Sequence, residues 1–151
     1  MTDKPLFVYG TLRDPDVLEA LLGHPLPDHQ RLDATARGFA AVQYPGRVYP
    51  ALIAVPDGDA PGLLLHGLTA IELRILDAFE GDEYRRDTIA VQTPSGTIKA
   101  GVYLPIAAIG ANATPWTLDQ WTALHKPSVL AGERSTAAAL RERLGAPGRQ
   151  S

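Results

Sequence analysis

Between Leu76 and Arg86 the chain reads LDAFEGDEYRR, four acidic and two basic side chains around one glycine. Most of that charge is what a wetted helix end carries. Glu80 differs, because it follows Leu76 by four residues and Leu73 by seven, which puts all three on one helix face. Burial against apolar neighbours and the negative end of the helix dipole both disfavour a carboxylate. Its pKa is therefore expected to rise by roughly 1–2 from a reference near 4.3. A carboxyl tuned in this way exchanges protons near neutral pH, as general acid–base catalysis requires. Arg85 and Arg86 oppose the rise if they fold back. The plain alternative is a glutamate at a helix C-terminus paired to an arginine.

A second stretch, YGTLRDP at 9–15, joins an apolar run to a helix start through Gly10. Such a connection exposes backbone N–H groups that can hold a carboxylate or an oxyanion, unless the glycine serves only the turn. Tyr84 and Tyr103 carry hydroxyls that a substrate can use, against the commoner role of packing at strand edges. His66 lies in a strand pattern and reads as a satisfied structural histidine. No G-x-S-x-G elbow is present, so a serine-hydrolase triad lacks its nucleophile motif.

The elements that must position these residues are short. Leu6–Tyr9 is a buried-strand candidate. Asp14 and Pro15 open a helix with an apolar stripe at Val17, Leu18, Leu21 and Leu22, and Gly23 stops it. Strand candidates follow at Thr35–Val42, Tyr49–Val55 and Leu63–Leu68, with PDGDAPG at 56–62 as a turn between the last two. Thr69 and Glu72 have capping-box spacing for a helix over 70–80, with Gly81 at its left-handed C-terminal position. DTIAVQT and TIKAGVYL flank PSG as a hairpin. Thr117 and Gln120 cap a further helix with Trp116 and Trp121 at staple positions, and an alanine-rich helix over 135–144 follows. About six short strands with few helices predict an α+β fold on a small, curved or closed sheet rather than a doubly wound one.

Composition narrows the chemistry. With 151 residues, net charge −3 and no long basic run, the chain is expected to be one domain with no nucleic-acid or acidic-membrane partner. Cysteine is absent, which removes thiolate metal sites and thiol nucleophiles. His24, His29, His66 and His125 show no paired metal-ligand spacing, so no metal is expected. MTDKPLFVYG has no apolar signal stretch and no 18-residue apolar run occurs, which points to a cytoplasmic protein.

VYGTL, then LTAIELRILDAFEGDEYRR, then AGVYL, in that order, resembles the gamma-glutamylcyclotransferase-like family, and YPGRVYPALI and LLLHGLT look like its middle section. The resemblance runs from about Leu6 to Leu104, and the Trp-rich tail over 114–146 is similar to helical extensions on bacterial members. It implies a small mixed β-barrel with flanking helices and cofactor-free acyl transfer on a γ-glutamyl amine or amide, releasing 5-oxoproline. It also implies that Glu80, directly before Gly81, is the acid/base, and that Tyr9, Gly10, Thr11 and Leu12 bind substrate through backbone groups. The family's Y-x-R pair matches Tyr84 and Arg86, and its late-strand tyrosine matches Tyr103. Glu83 matches no family position. Two alternatives stay open: a catalytically silent binding module on the same fold, and acyl transfer on a different γ-glutamyl-protected substrate.

Overall fold

The structure, a computed structural model, describes residues 4–110 and 112–144. Its five strands are β1 (Leu6–Val8), β2 (Arg31–Gln43), β3 (Pro50–Leu65), β4 (Tyr84–Thr93) and β5 (Gly96–Pro105). They close into a barrel in the order β1–β3–β2–β4–β5. All neighbours are antiparallel except β1 and β5, which run parallel, so the barrel is mixed. β1 is apolar throughout because both its edges are paired, Leu6 lying opposite Leu65 of β3 and Gly101 of β5.

Alternation along the strands divides the apolar residues into two cores. Phe7, Leu52, Leu64, Val91 and Val102 fill the barrel together with Ala34, Ala36, Ala60 and Ala100. Barrel width grows with strand number, and the alanines fit the narrow interior of a five-stranded one. Leu6 and Val8 face outward to four helices: α1 (Pro15–Leu22), α2 (Ala70–Glu80), α3 (Leu118–Leu124) and α4 (Lys126–Arg143). Val17 and Leu21 of α1, Ile75 and Leu76 of α2, Trp121 of α3 and Ala137 of α4 complete that outer core. Among the described residues no helix is long and apolar enough to cross a membrane.

The local helix signals match the structure. Asp14 caps α1 by accepting from the Asp16 N–H at 3.2 Å, and Gly23 ends it in the left-handed region at φ 83°. At α2 the Thr69 hydroxyl accepts from the Glu72 N–H and the Glu72 carboxylate accepts from the Thr69 N–H, both at 3.0 Å. Thr117 caps α3 by accepting from the Gln120 N–H at 3.2 Å, without the return bond from the Gln120 side chain that would complete the expected capping box. Gly81 does have a positive φ, 74°, but with ψ −159° it is in the extended region that essentially glycine alone occupies, not the left-handed helical one.

Three expectations are corrected. PDGDAPG at 56–62 is not a turn, since β3 runs unbroken through it and the strand count is five. Residues 55–58 lie opposite the single Gly38 of β2, where the register shifts, so the Pro- and Gly-rich stretch is a bulge that bends a long strand around the barrel. Gly62 is required there, because a Cβ would stand 2.3 Å from the Val8 carbonyl oxygen. The last helix begins at Lys126 rather than near 135, running on almost directly from α3 with Pro127 in its first turn. His66 lies beyond the end of β3, and its buried Nε2 has no hydrogen-bond partner among the described residues.

α4 is fixed to α1 at both ends. Lys126 forms an ion pair with the buried Asp14 at 2.9 Å, and Arg141 donates to the carbonyl of Ala20. Glu133 lies seven residues after Lys126 and four before the buried Ala137, which turns it toward the molecule.

Candidate active site

A cavity of about 210 Å³ lies between the end of β1, the last turn of α2, and helices α3 and α4. Residues 8–12 form one wall, with Gly10 leading into a 3-10 turn over Thr11–Arg13. The first N–H groups of such a turn have no acceptor within it, and Thr11 and Leu12 carry theirs at the cavity wall. Gly10 is needed for a steric reason, since a Cβ would meet the Pro50 ring at 2.7 Å. Val48, Tyr49 and Pro50 make the adjoining wall, and the Trp116 indole anchors them by donating to the Val48 carbonyl at 2.8 Å.

Glu80, the last residue of α2, reaches this cavity from the face predicted for it. The residue as a whole is half-buried, yet its carboxyl is pushed up to about 8, first by burial and then by the charges of Glu133 and Asp77. The rise is larger than expected because Glu133 and Asp77 add to burial, and the arginines do not fold back to oppose it. Arg85 pairs with Asp87 at 2.5 Å and Arg86 with Asp77 at 3.2 Å. Among the described residues none forms a hydrogen bond or ion pair with the Glu80 carboxylate. The reading of Glu80 as an arginine-paired helix end is therefore overturned.

Glu83, three residues on, is treated in the opposite way. The Tyr49 hydroxyl donates to it and Arg47 pairs with it at 2.7 Å, and together they hold its carboxyl below the ordinary value. It works as a strut, tying the Tyr49 wall to the end of α2.

Tyrosines line the rest. Tyr9 donates to the Tyr103 carbonyl at 2.5 Å, Tyr84 to the Pro50 carbonyl at 2.5 Å, and Tyr103 to Asp77 at 2.6 Å. Burial raises all three phenols above their usual range, so they stay neutral. Their protons are committed to protein acceptors, and their oxygens remain able to accept. Tyr44, Tyr49 and Tyr84 pack edge to face or tilted, with ring centres 5.6–6.2 Å apart.

Tyr9, Gly10, Thr11, Leu12, Glu80, Tyr84 and Tyr103 thus come together around one cavity, although up to 94 residues separate them. Arg86 does not line it. It stands behind Tyr103, pairing with the same Asp77 oxygen that accepts the Tyr103 proton. Sequence reasoning missed Tyr49, Pro50, Glu133 and Thr136. Glu133 had a signal, its helical spacing from Ala137, but it fell outside the helix expected over 135–144.

A closed five-stranded barrel flanked by helices, with an unpaired, proton-holding carboxyl in a tyrosine-lined cavity, defines an α+β fold equipped for acid–base chemistry. The chain belongs to the family described as "Gamma-glutamyl cyclotransferase, AIG2-like", whose profile matches residues 6–123. It is 34% identical to AIG2-like protein A of Arabidopsis thaliana over 124 residues, 80% of this chain and 73% of that one. To AIG2-like protein D of the same plant it is 34% identical over 134 residues, 86% of each chain. The solution structure of At5g39720.1 from Arabidopsis thaliana superimposes with a TM-score of 0.65 at 30% identity, covering 85% of this chain and 87% of that one. The crystal structure of an aig2-like protein from Mus musculus shares the fold at a TM-score of 0.54 and 23% identity, over 76% and 85% of the two chains.

Proposed function

We propose that the protein is a cofactor-independent γ-glutamyl cyclotransferase-type enzyme. The α-amine of a γ-glutamyl amine or amide attacks its own γ-carbonyl carbon. The new N–C bond closes a five-membered lactam, the original amide C–N bond breaks, and 5-oxoproline and a free amine leave. Attack within one molecule removes much of the entropic barrier, so the protein needs only to fold the substrate, steady the oxyanion and move protons.

Glu80 moves the protons. Its carboxylate takes one from the substrate's α-ammonium and returns one to the departing amine nitrogen. A pKa of about 8 supports this, because a group that titrates near the working pH has both its base and its acid form available for the two transfers. Glu83, held ionised by Tyr49 and Arg47, is too weak a base for that role. The Thr11 and Leu12 N–H groups hold the substrate's anionic end, and Tyr84 and Tyr103 shape the wall beside the reacting carbonyl.

The observation that carries this reading is the meeting of Glu80 with the Tyr9–Leu12 turn in one cavity. The test is incubation with γ-glutamyl amines, γ-glutamyl dipeptides and glutathione, following 5-oxoproline. Release from at least one is expected. Binding of these compounds with no release from any of them would overturn the enzyme reading in favour of a binding module.

A further inference from the structure

The charge of the cavity carries an inference about its substrate. Glu80 and Glu133 both line it, and among the described residues no Lys, Arg or His does. Arg47, Arg86 and Lys126 are engaged elsewhere: Arg47 on Glu83, Arg86 on Asp77, and Lys126 on Asp14 and Asp16. Glu133 has neither a hydrogen bond nor an ion pair among the described residues, and it lies ten residues beyond the end of the family match at 123. It is not a loosely placed surface group. The clamps at Lys126 and Arg141 fix the helix on both sides of it, and Ala137, one turn on, is fully buried.

We propose that Glu133 is a specificity-determining residue that receives a second positive charge on the amine half of the substrate. The preferred substrates are then γ-glutamyl conjugates of diamines. This rests on the cyclotransferase reading above. A γ-glutamyl conjugate of a simple alkylamine has one ammonium and one carboxylate, and is neutral overall. A diamine conjugate carries one further ammonium, and glutathione one further carboxylate. A cavity with two acidic side chains, Glu133 and the proton-exchanging Glu80, and no lining cation among the described residues favours the first excess charge and disfavours the second.

Glu133 does not suit the α-ammonium instead. A second carboxylate on that nitrogen would hold its proton and oppose the attack, which needs the free amine. That leaves the departing half of the substrate for Glu133. Thr136, one turn further along the same helix, lines the cavity beside it and offers a hydroxyl acceptor.

The test compares kcat/KM for γ-glutamyl-1,4-diaminobutane and γ-glutamyl-n-butylamine in the wild type and in Glu133→Gln. Removing Glu133 also lowers the pKa of Glu80, which affects both conjugates alike, so the ratio of the two isolates cation recognition. The wild type is expected to prefer the diamine conjugate by about tenfold, and Glu133→Gln to remove most of that preference. Glutathione is expected to be the poorest of the three. Turnover of the butylamine conjugate with no diamine preference, or a preference unchanged in Glu133→Gln, would overturn this inference and leave the cyclotransferase reading standing. Release of 5-oxoproline from neither conjugate nor from any other γ-glutamyl compound would overturn both.

Discussion

Glu80 is costly to fold, and that cost is readable in solution. Burial raises its folded pKa from about 4.5 to about 8, so between those values the folded state holds a proton that the unfolded state has released. The wild type therefore loses stability as pH rises from about 4.5 to 8, and the loss is complete above 8. Discounted for the open cavity mouth, it amounts to about 2 kcal/mol. Glu80→Gln is then expected to melt about 4–8 °C above the wild type at pH 9 and level with it at pH 4. Equal melting points at both pH values would show that the carboxyl is not desolvated. Gly10 makes the complementary case for space. A methyl group there would press on the Pro50 ring at 2.7 Å, so Gly10→Ala is expected to cost about 1–3 kcal/mol and to cut kcat/KM at least tenfold by displacing the turn that carries Thr11 and Leu12. Activity within twofold of wild type would remove that turn from substrate binding.

Helices deliver the two carboxylates, and their ends were the most legible part of the sequence. Capping is local chemistry between residues three apart, which is why Thr69 with Glu72 fixed the start of α2 and the helix was placed over 70–80. Thr69→Ala is expected to cost about 1 kcal/mol and about 2–4 °C in melting temperature, with kinetic constants near wild type, since Thr69 is remote from the cavity. A large loss of turnover in a folded Thr69→Ala protein would mean that α2 must be rigid for chemistry. α4 was less legible. Its first two turns hold Pro127, Ser128 and Gly132, poor helix formers, and they are helical because Lys126 and Arg141 grip α1. Those tertiary contacts have no local signature, so Glu133 stayed hidden. Because Glu133 helps raise the Glu80 pKa, Glu133→Gln is expected to move the acid limb of kcat/KM below the wild-type position near 8. The limb should remain above 4.5, since burial is the larger cause. An unmoved limb would show that the two carboxyls do not sense each other.

At the scale of the whole molecule, closure of the barrel turns separate motifs into one site. β1 lies between β3 and β5, which brings the Tyr9–Leu12 turn beside Pro50 and Tyr103, while the outer core of α1, α2 and α4 sets Glu80 and Glu133 at the same cavity. The site residues within the family motifs were legible as motifs, but their convergence was not deducible from spacing. The Pro- and Gly-rich 56–62 stretch shows why: its residues favour a turn locally, yet pairing of Asp59–Gly62 with β2, resumed at Ala54 beyond the bulge, keeps β3 continuous. The account depends most on Glu80 exchanging a proton within this assembled cavity. The most direct measurement is 5-oxoproline release in a single turnover by wild type and Glu80→Gln, at pH 8, on a γ-glutamyl amine that both bind. The account predicts a folded variant that binds the compound and forms the lactam at least about 100-fold more slowly. A folded, ligand-binding Glu80→Gln protein that cyclises at the wild-type rate would contradict it.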